Sequence, residues 1–413
     1  MAQDGQDLAQ TASDIDGRRA WMRVVAALAL GAVGCTGMWS PMVVLPAIQA
    51  EFGVSRGDAA LPYMLAMVGF GLGGVLMGRI MDRFGVIVAI FMGIVLLGAG
   101  YVAAGLSRTL WEFSLSHGLL IGLGTSAMFA PLMADISQWF QKQRGVAVSI
   151  CSCGNALSGA IWPPILQHFI VTEGWRATHI GYGIFAMVAL MPLALAFRRR
   201  APRLAVGHAA APAWQAKPIS VSPATLQVLL MIAGVGCCVA MATPQVHIVA
   251  YCGDLGYGPA RGTEMLALLL FMSVLSRLAA GFIADRIGAM QTLLLGSVLQ
   301  AVVLLMYLPF NGLVSLYIIS ALFGLFMGGI IPMYTLIVRD YYPPKEAGRR
   351  VGIVIMATLV GMAFGGWVTG AIFDATASYR TAFSHSFLWN LLNIAIIGFL
   401  IWSTRRGRTL AVA

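Results

Sequence analysis

The sequence predicts an all-α membrane protein with twelve transmembrane helices in two six-helix halves. Of its 413 residues, 59% are hydrophobic and only 10% are charged, whereas soluble domains carry about 25% charged residues. A charged loop motif, G-x-x-x-D-R-x-G, occurs once in each half of the chain. Apolar runs long enough to cross a bilayer lie at 23–48, 58–81, 86–106, 110–135, 144–170 and 177–197, and then at 224–252, 262–284, 289–309, 312–338, 348–374 and 381–403.

The positive charges predict how these spans are oriented. Residues 1–22 are polar and form a predicted tail, after which the first half occupies 23–197. Cytoplasmic loops of membrane proteins carry an excess of Lys and Arg. Of the 26 such residues, 20 fall on the side of the termini, Arg277 falls within a span, and five fall on the opposite side: Arg56, Arg108, Arg176, Arg261 and Arg380. Both termini are therefore predicted to be cytoplasmic, in a plasma (bacterial inner) membrane.

The two halves are joined by a polar segment and repeat each other. Residues 198–223 are rich in Pro, Ala and Arg and predict a cytoplasmic linker. The second half follows at 224–403, and 404–413 form a predicted cytoplasmic tail. GRIMDRFG at 78–85 recurs as GFIADRIG at 281–288. Parallel repeats of this kind predict a substrate site between the halves, near the middle of the membrane.

Arg277 is the residue that most directly suggests a chemistry. It lies in an apolar span, eight residues before Asp285, and an arginine cannot lose its proton in a protein. A charge at that depth is costly and is usually functional. Because a guanidinium matches a carboxylate with two parallel hydrogen bonds, Arg277 is predicted to hold the carboxylate of a substrate. The alternative is a structural arginine paired with backbone carbonyls or an acid.

Several other functions are excluded by what the sequence lacks. The six cysteines lie in or beside apolar runs without zinc-site spacing, so we expect inert thiols. There is no nucleotide-binding loop, metal cluster or catalytic triad, so neither an enzyme nor a cofactor other than a coupling proton is expected. The basic residues do not form a groove or arm, which argues against nucleic acid. The expected partners are a small carboxylate and the lipid bilayer, and the protein is expected to function as a monomer.

Over residues 23–403 the chain resembles the major facilitator superfamily. The paired loop motifs, the twelve spans and the central linker carry this resemblance. Three features resemble the branch that contains monocarboxylate transporters and the oxalate:formate antiporter: Arg277 four residues before Gly281, ISQWFQKQRGVA at 136–147, and GWRATHIGYG at 174–183.

The chain also departs from that branch. Animal monocarboxylate carriers have a lysine after the span 1 proline, but Met42 follows Pro41 here. They place an aspartate one turn before the span 8 arginine, where this chain has Ser273. The oxalate exchanger has a lysine in span 11, and residues 351–373 contain no cation. A single cation fits a monoanion better than a dicarboxylate.

The resemblance implies roles for further residues. It makes the two Asp-Arg pairs of the repeated loops gate residues, namely Asp82 and Arg83 with Asp285 and Arg286. It also places side chains of spans that commonly line the cavity in this fold near the substrate, namely Trp39, Phe129, Asn155, Tyr334 and Trp367. His247 and Asp254 are candidates for proton coupling, since histidine titrates near neutral pH. A histidine bonded inside the bundle and a loop acid are their respective alternatives.

These observations predict a secondary active transporter that moves a small monocarboxylate, similar to lactate or pyruvate, by alternating access with a proton. Two alternatives remain on the same fold. One is an exporter of drugs or amphipathic compounds, whose pocket would not need Arg277. The other is an anion exchanger, in which a second anion replaces the proton.

Overall fold

The computed structural model describes residues 15–140, 143–199 and 219–412. Twelve helices in this part are long and apolar enough to cross a membrane, which confirms the predicted fold class. Their ends lie within five residues of the predicted ones. They are α1 (Arg18–Phe52), α2 (Arg56–Phe84), α3 (Val86–Leu106), α4 (Leu110–Ile136), α5 (Gly145–Glu173), α6 (Trp175–Phe197), α7 (Pro223–Asp254), α8 (Pro259–Ile287), α9 (Ala289–Met306), α10 (Leu313–Tyr341), α11 (Glu346–Thr376) and α12 (Tyr379–Thr404).

Two of the predicted segments between or before the helices are largely outside the described residues, and the predicted C-terminal tail is described up to Val412. Residues 1–14 of the predicted N-terminal tail and residues 200–218 of the predicted linker are outside the described residues. Beyond α12 the backbone stays helical to Val412. The segment predicted as a tail at 404–413 therefore continues the last helix through that residue.

The chain separates into two compact units. Unit 1 contains Met1–Ala47 and Leu65–Gly207, and unit 2 contains Ile48–Met64 and His208–Ala413. The segment Ile48–Met64, which joins α1 to α2, belongs to the first half by sequence but groups with the helices of the second. We call this segment the strap, because its contacts with unit 2 are central to the site described below.

Close helix packing in unit 1 depends on small residues and on local irregularity. A Cβ atom on Gly31 of α1 would lie 3.2 Å from the Cα atom of Gly154 in α5, so the two backbones approach as small residues allow in membrane helices. Helix α1 narrows to a 3-10 turn over Cys35–Met38, and α4 widens to a π-helix over Ser116–Gly122. Hydropathy alone gives no sign of either change.

A buried ion pair joins three helices of unit 1. Arg23 of α1 donates from Nε to Asp135 Oδ2 at 2.6 Å and from Nη2 to Oδ1 at 2.9 Å. Its Nη1 donates to the carbonyl of Ala196 in α6 at 3.1 Å. The guanidinium also lies over the rings of Trp139 and Phe197, 4.7 and 4.5 Å from their centroids. Protein atoms therefore surround the Arg23 guanidinium, both in its plane and on its two faces.

Unit 2 is built around the pairing of α7 with α11. A Cβ on Gly361 would lie 2.6 Å from the carbonyl oxygen of Val235, so these helices touch backbone to backbone. Helix α10 is interrupted at Gly328–Gly329, between Leu313–Met327 and Ile330–Tyr341. The interruption lies against α8, because a Cβ on Gly328 would lie 2.3 Å from the carbonyl of Ser273.

Candidate functional site

Arg277 is the most deeply placed cation of the described helices. It is half-buried in α8, ten residues before the helix ends at Ile287, which corresponds to about 15 Å at 1.5 Å per residue. The next deepest, Arg23 and Arg79, lie five residues from the ends of their helices. Half the thickness of a hydrocarbon core is also about 15 Å. Arg277 therefore lies well inside its helix, about as far from the helix end as half a hydrocarbon core is thick.

The residue next to Arg277 is hydrogen-bonded to an irregular part of the neighbouring helix. The hydroxyl of Ser276 accepts a hydrogen bond from the backbone N–H of Gly329 at 3.0 Å, at the interruption of α10. Within a membrane such backbone is tolerated only where it is buried in protein or lines a cavity. The interruption holds α8 in place at the level of Arg277.

The two residues predicted to couple protons, His247 and Asp254, belong to one polar network with a centre at Arg56. Arg56 is the first residue of α2 and lies in the strap. Its Nη1 donates to Asp254 Oδ2 at 2.6 Å and its Nη2 to Oδ1 at 3.1 Å. Two-point contact of this kind is the strongest form of the arginine–carboxylate pair. Asp254 therefore binds a cation across the packing between strap and α7.

Other side chains of unit 2 complete the shell around the Arg56 guanidinium. Its Nε donates to Gln49 Oε1 at 2.8 Å, and its Nη1 also donates to the Tyr379 hydroxyl at 2.7 Å. The Phe373 ring lies against it, with the centroid 4.5 Å from the guanidinium carbon. Only 9% of the Arg56 side chain is exposed, whereas 37% of the Asp254 side chain is. Solvent reaches this pair through the carboxylate.

Tyr379 connects this ion pair to His247. The imidazole Nε2 lies 2.8 Å from the carbonyl oxygen of Gly366, and a carbonyl can only accept, so Nε2 is assigned the proton. Nδ1 then accepts from the Tyr379 hydroxyl at 3.4 Å. Both ring nitrogens of a neutral His247 are satisfied by this arrangement. A continuous path of polar groups runs from partly exposed Asp254 to fully buried His247, seven residues or about 10 Å along α7.

A second carboxylate fixes the backbone of the strap. Asp374, near the end of α11, accepts from the backbone N–H of Arg56 at 2.8 Å and of Gly57 at 2.7 Å. The backbones approach closely here, because a Cβ on Gly370 would lie 2.8 Å from the carbonyl oxygen of Arg56. Two acids thus hold the strap to the other helices of unit 2. Asp254 binds the Arg56 side chain, and Asp374 binds the backbone of the strap.

In unit 1 the structure brings together two of the predicted substrate contacts. The Trp39 indole Nε1 lies 3.1 Å from both the side-chain and the backbone oxygen of Asn155. Phe129 packs against Phe70, with ring centroids 5.9 Å apart. The predicted gate residues Asp82 and Arg83 are exposed near the end of α2.

In unit 2 the remaining predicted residues are separated. Tyr334 is fully buried, and its hydroxyl donates to Asn393 Oδ1 at 2.9 Å, so its polar group is engaged within the helix bundle. Trp367 is half-buried beside Phe364, with centroids 6.2 Å apart. Asp285 and Arg286 are exposed at the end of α8. Among the residues the structure describes, no three acids, histidines or cysteines are grouped to hold a metal ion.

Comparison with known proteins now decides the family. The model of the Major Facilitator Superfamily matches residues 27–316 and 254–411. The chain belongs to this superfamily. Because the family and the matched relatives are transporters, the protein is a multi-pass membrane transporter and not an enzyme.

Relatives of this major facilitator protein carry different names. The MFS-type transporter opdF of Penicillium oxalicum is 27% identical over 329 residues, covering 78% of this chain and 76% of the relative. The aspyridones efflux protein apdF of Emericella nidulans is 26% identical, covering 73% and 63%. Monocarboxylate transporter 13 of Bos taurus is 24% identical, covering 84% and 86%. The crystal structure of a D-xylose-proton symporter, 14% identical, shares the fold with a TM-score of 0.69 over 92% of this chain and 96% of that one.

Besides Gln49, sequence reasoning missed three members of the network in this transporter: Arg56, Asp374 and Tyr379. Arg56 entered the sequence analysis only as a charge in a loop count. Each of the three lies at or near the end of an apolar span, where polar residues are ordinary. The available signal was that two acids, Asp254 and Asp374, end spans on the side that has only five basic residues.

Proposed function

We propose that this transporter moves a small monocarboxylate across the plasma (bacterial inner) membrane by alternating access, together with a proton. The observation that carries the proposal is the position of Arg277, ten residues inside α8. The name of one relative, monocarboxylate transporter 13, supports the same substrate class. Both termini are proposed to be cytoplasmic, and the monomer is the proposed functional unit.

Arg277 is proposed to bind the substrate carboxylate with two parallel hydrogen bonds. With no substrate, its charge requires water or nearby dipoles, whereas a bound anion neutralises it. The substrate then lowers the free energy of a closed, dehydrated state relative to the open ones. A ligand can shift a conformational equilibrium only through such a difference in affinity, so the same contact would drive transport.

The other predicted residues keep supporting roles in this proposal. In unit 1, Trp39 uses the oxygens of Asn155, which leaves the amide N–H groups of Asn155 as donors to a substrate. Phe129, Trp367 and Tyr334 are proposed to provide apolar contact, with the Tyr334 hydroxyl committed to Asn393. The exposed Asp-Arg pairs, Asp82 with Arg83 and Asp285 with Arg286, are proposed to set the balance between open states.

The deciding experiment is uptake of labelled carboxylates into proteoliposomes containing the full chain. Arg277→Ala should abolish carboxylate uptake. Arg277→Lys should lose most of it, because an ammonium cannot reproduce the planar two-point contact. Arg261→Ala is a matched control, since Arg261 lies in the same helix but is exposed and paired with Glu264. Uptake at near wild-type affinity by Arg277→Ala would refute the carboxylate site.

Proton coupling is proposed to use His247, which is reached through Tyr379, Arg56 and Asp254. His247→Gln should remove the stimulation of uptake by an inward proton gradient. It should retain exchange of substrate between compartments of equal pH. Accumulation driven by the gradient at the wild-type level in His247→Gln would exclude this residue and favour Asp254. Stimulation by internal carboxylate instead of by the gradient would indicate anion exchange.

A second candidate function is export of an amphipathic compound. The relative named as an aspyridones efflux protein favours it, and such a substrate need not carry a carboxylate. The same proteoliposomes distinguish the two functions. If small carboxylates are not transported while a hydrophobic dye is extruded, and Arg277→Ala extrudes it equally well, the exporter is the correct function.

A further inference from the structure

Two carboxylates attach the strap to the other helices of unit 2, and they bind different groups. Asp374 holds the backbone N–H groups of Arg56 and Gly57, and Asp254 holds the Arg56 guanidinium. Arg56–Ala59 form the first turn of α2, and the Ser55 hydroxyl caps it by accepting from the backbone N–H of Asp58. The backbone N–H groups of a first turn have no partner within the helix. Asp374 supplies a partner to two of them.

Both carboxylates are exposed, but only the contact with Asp254 neutralises a buried cation, so protonation of Asp254 has the larger consequence. The Arg56 guanidinium is permanently charged, and only 9% of the side chain is exposed. A buried charge that loses its counter-ion is strongly destabilised, more so than if both partners were absent. The neutral partners Tyr379 and Gln49 cannot replace the lost negative charge.

Solvent protons have access to that counter-ion. The Asp254 side chain is 37% exposed at the end of α7. The carboxylate that neutralises Arg56 is thus partly exposed to solvent, whereas the Arg56 side chain is almost fully buried. The titratable and charged groups that face the pair come from α7, α11 and α12: His247, Tyr251, Asp254, Asp374, Tyr379 and Arg380.

We propose that Arg56 and Asp254 form a proton-operated latch: protonation of Asp254 releases the strap from α7, α11 and α12. Loss of the carboxylate charge leaves Arg56 without a counter-ion in its buried position. The turn Arg56–Ala59 then moves its guanidinium towards water and gives up its backbone bonds to Asp374. Release of the guanidinium also removes its hydrogen bond to the Tyr379 hydroxyl, the group that contacts His247.

Hydrogen exchange of the strap measures the latch without any substrate. The full-length protein in lipid nanodiscs is labelled in D₂O at about pH 3 and about pH 7, on either side of the ordinary titration range of an aspartate, and mass spectrometry follows the peptide that contains Arg56–Ala60. Exchange is expressed relative to the intrinsic rate at each pH. We expect protection of this peptide to fall severalfold in acid, because protonation of Asp254 removes the charge that neutralises the buried Arg56 guanidinium.

Variants identify the proton-binding group. Asp254→Asn should be poorly protected at both pH values. Asp58→Asn is the matched control, since Asp58 is an exposed carboxylate in the same turn, and it should behave like the wild type. The double variant Arg56→Gln with Asp254→Asn removes the uncompensated charge and should regain protection relative to Asp254→Asn alone, with no response to pH.

Two results would overturn the latch. One is a wild-type pH response in Asp254→Asn, and the other is equal protection of the wild-type strap in acid and at neutral pH. If the double variant is no better protected than Asp254→Asn, general misfolding explains the loss and the latch is also rejected. None of these outcomes depends on which substrate is carried, so the latch and the proposed function can fail separately.

Discussion

Two arginine–aspartate pairs, one in each unit, have nearly the same geometry but different surroundings. Arg23–Asp135 in unit 1 and Arg56–Asp254 in unit 2 each have a shortest contact of 2.6 Å and a second parallel bond. In the first pair both side chains are 4% exposed. In the second, the carboxylate is 37% exposed. Each pair has two hydrogen bonds, but only the aspartate of the second pair is accessible to water.

Their neighbours differ in the same way. Arg23 is enclosed by a backbone carbonyl and the rings of Trp139 and Phe197, none of which titrates. Arg56 contacts a tyrosine that leads to a histidine. A buried pair with inert neighbours stabilises one packing of helices, whereas a partly wet pair linked to titratable groups can respond to protons. If the proposed latch is correct, exposure of the acid, and not the pair itself, separates a structural contact from a switch.

The largest effect is expected in unit 1. Asp135→Asn should destabilise the protein by about 3–5 kcal/mol, because it leaves Arg23 buried without its counter-ion. Thermal unfolding in detergent, followed by size-exclusion chromatography, measures the loss. Replacing both partners by apolar residues, Arg23→Met with Asp135→Leu, should recover much of it. No recovery would mean that Arg23 has a role beyond its ion pair.

A glycine tests how tightly the strap is packed in unit 2. Gly370→Ala should cost about 1–3 kcal/mol, as overpacking does, because its Cβ would lie 2.8 Å from the Arg56 carbonyl oxygen. Gly348→Ala is the control in the same helix, since a Cβ there meets no atom within 4 Å and alanine favours a helix. Equal melting temperatures for the two variants would show that the strap is held more loosely than these distances indicate.

A smaller loss is expected from the exposed acid of the second pair. Asp254→Asn should cost about 1–2 kcal/mol, less than the buried pair, because water partly compensates the loss of the carboxylate. Acidifying the wild type should reduce its melting temperature towards that of the variant, while Asp135→Asn should retain this acid response. If Asp254→Asn destabilises as much as Asp135→Asn, the distinction between the two pairs fails.

The smallest loss of stability is expected from a pair on the surface, which serves as the reference for the other two pairs. Glu346 accepts from Arg350 one turn later on α11, at 2.7 Å, with half of the Glu346 side chain exposed. Glu346→Gln should cost about 0.5 kcal/mol or less, measured by the same thermal assay at low and high salt. A loss comparable with that of Asp254→Asn would place Arg56–Asp254 among ordinary surface pairs.

The sequence predicted the fold well because the fold class of a membrane protein depends on composition. All twelve spans were located from the lengths of apolar runs, since a bilayer requires about 20 apolar residues per helix. The depth of Arg277 followed from counting residues along one helix. Local interruptions were not predicted: the π-helix at Ser116–Gly122 and the break at Gly328–Gly329 lie inside runs that remain apolar.

The sequence by itself determined the membrane class, the number and placement of helices, the repeated halves and the presence of a charge deep in α8. Only the tertiary structure decided which polar residues act together. Arg56 meets Asp254 across 198 positions and Tyr379 across 323, and each looks like an ordinary residue at the end of a span. Hydropathy is a local property that one helix expresses alone. An ion pair between two helices depends on how those helices pack. The exposure of each partner depends on all the residues packed around them.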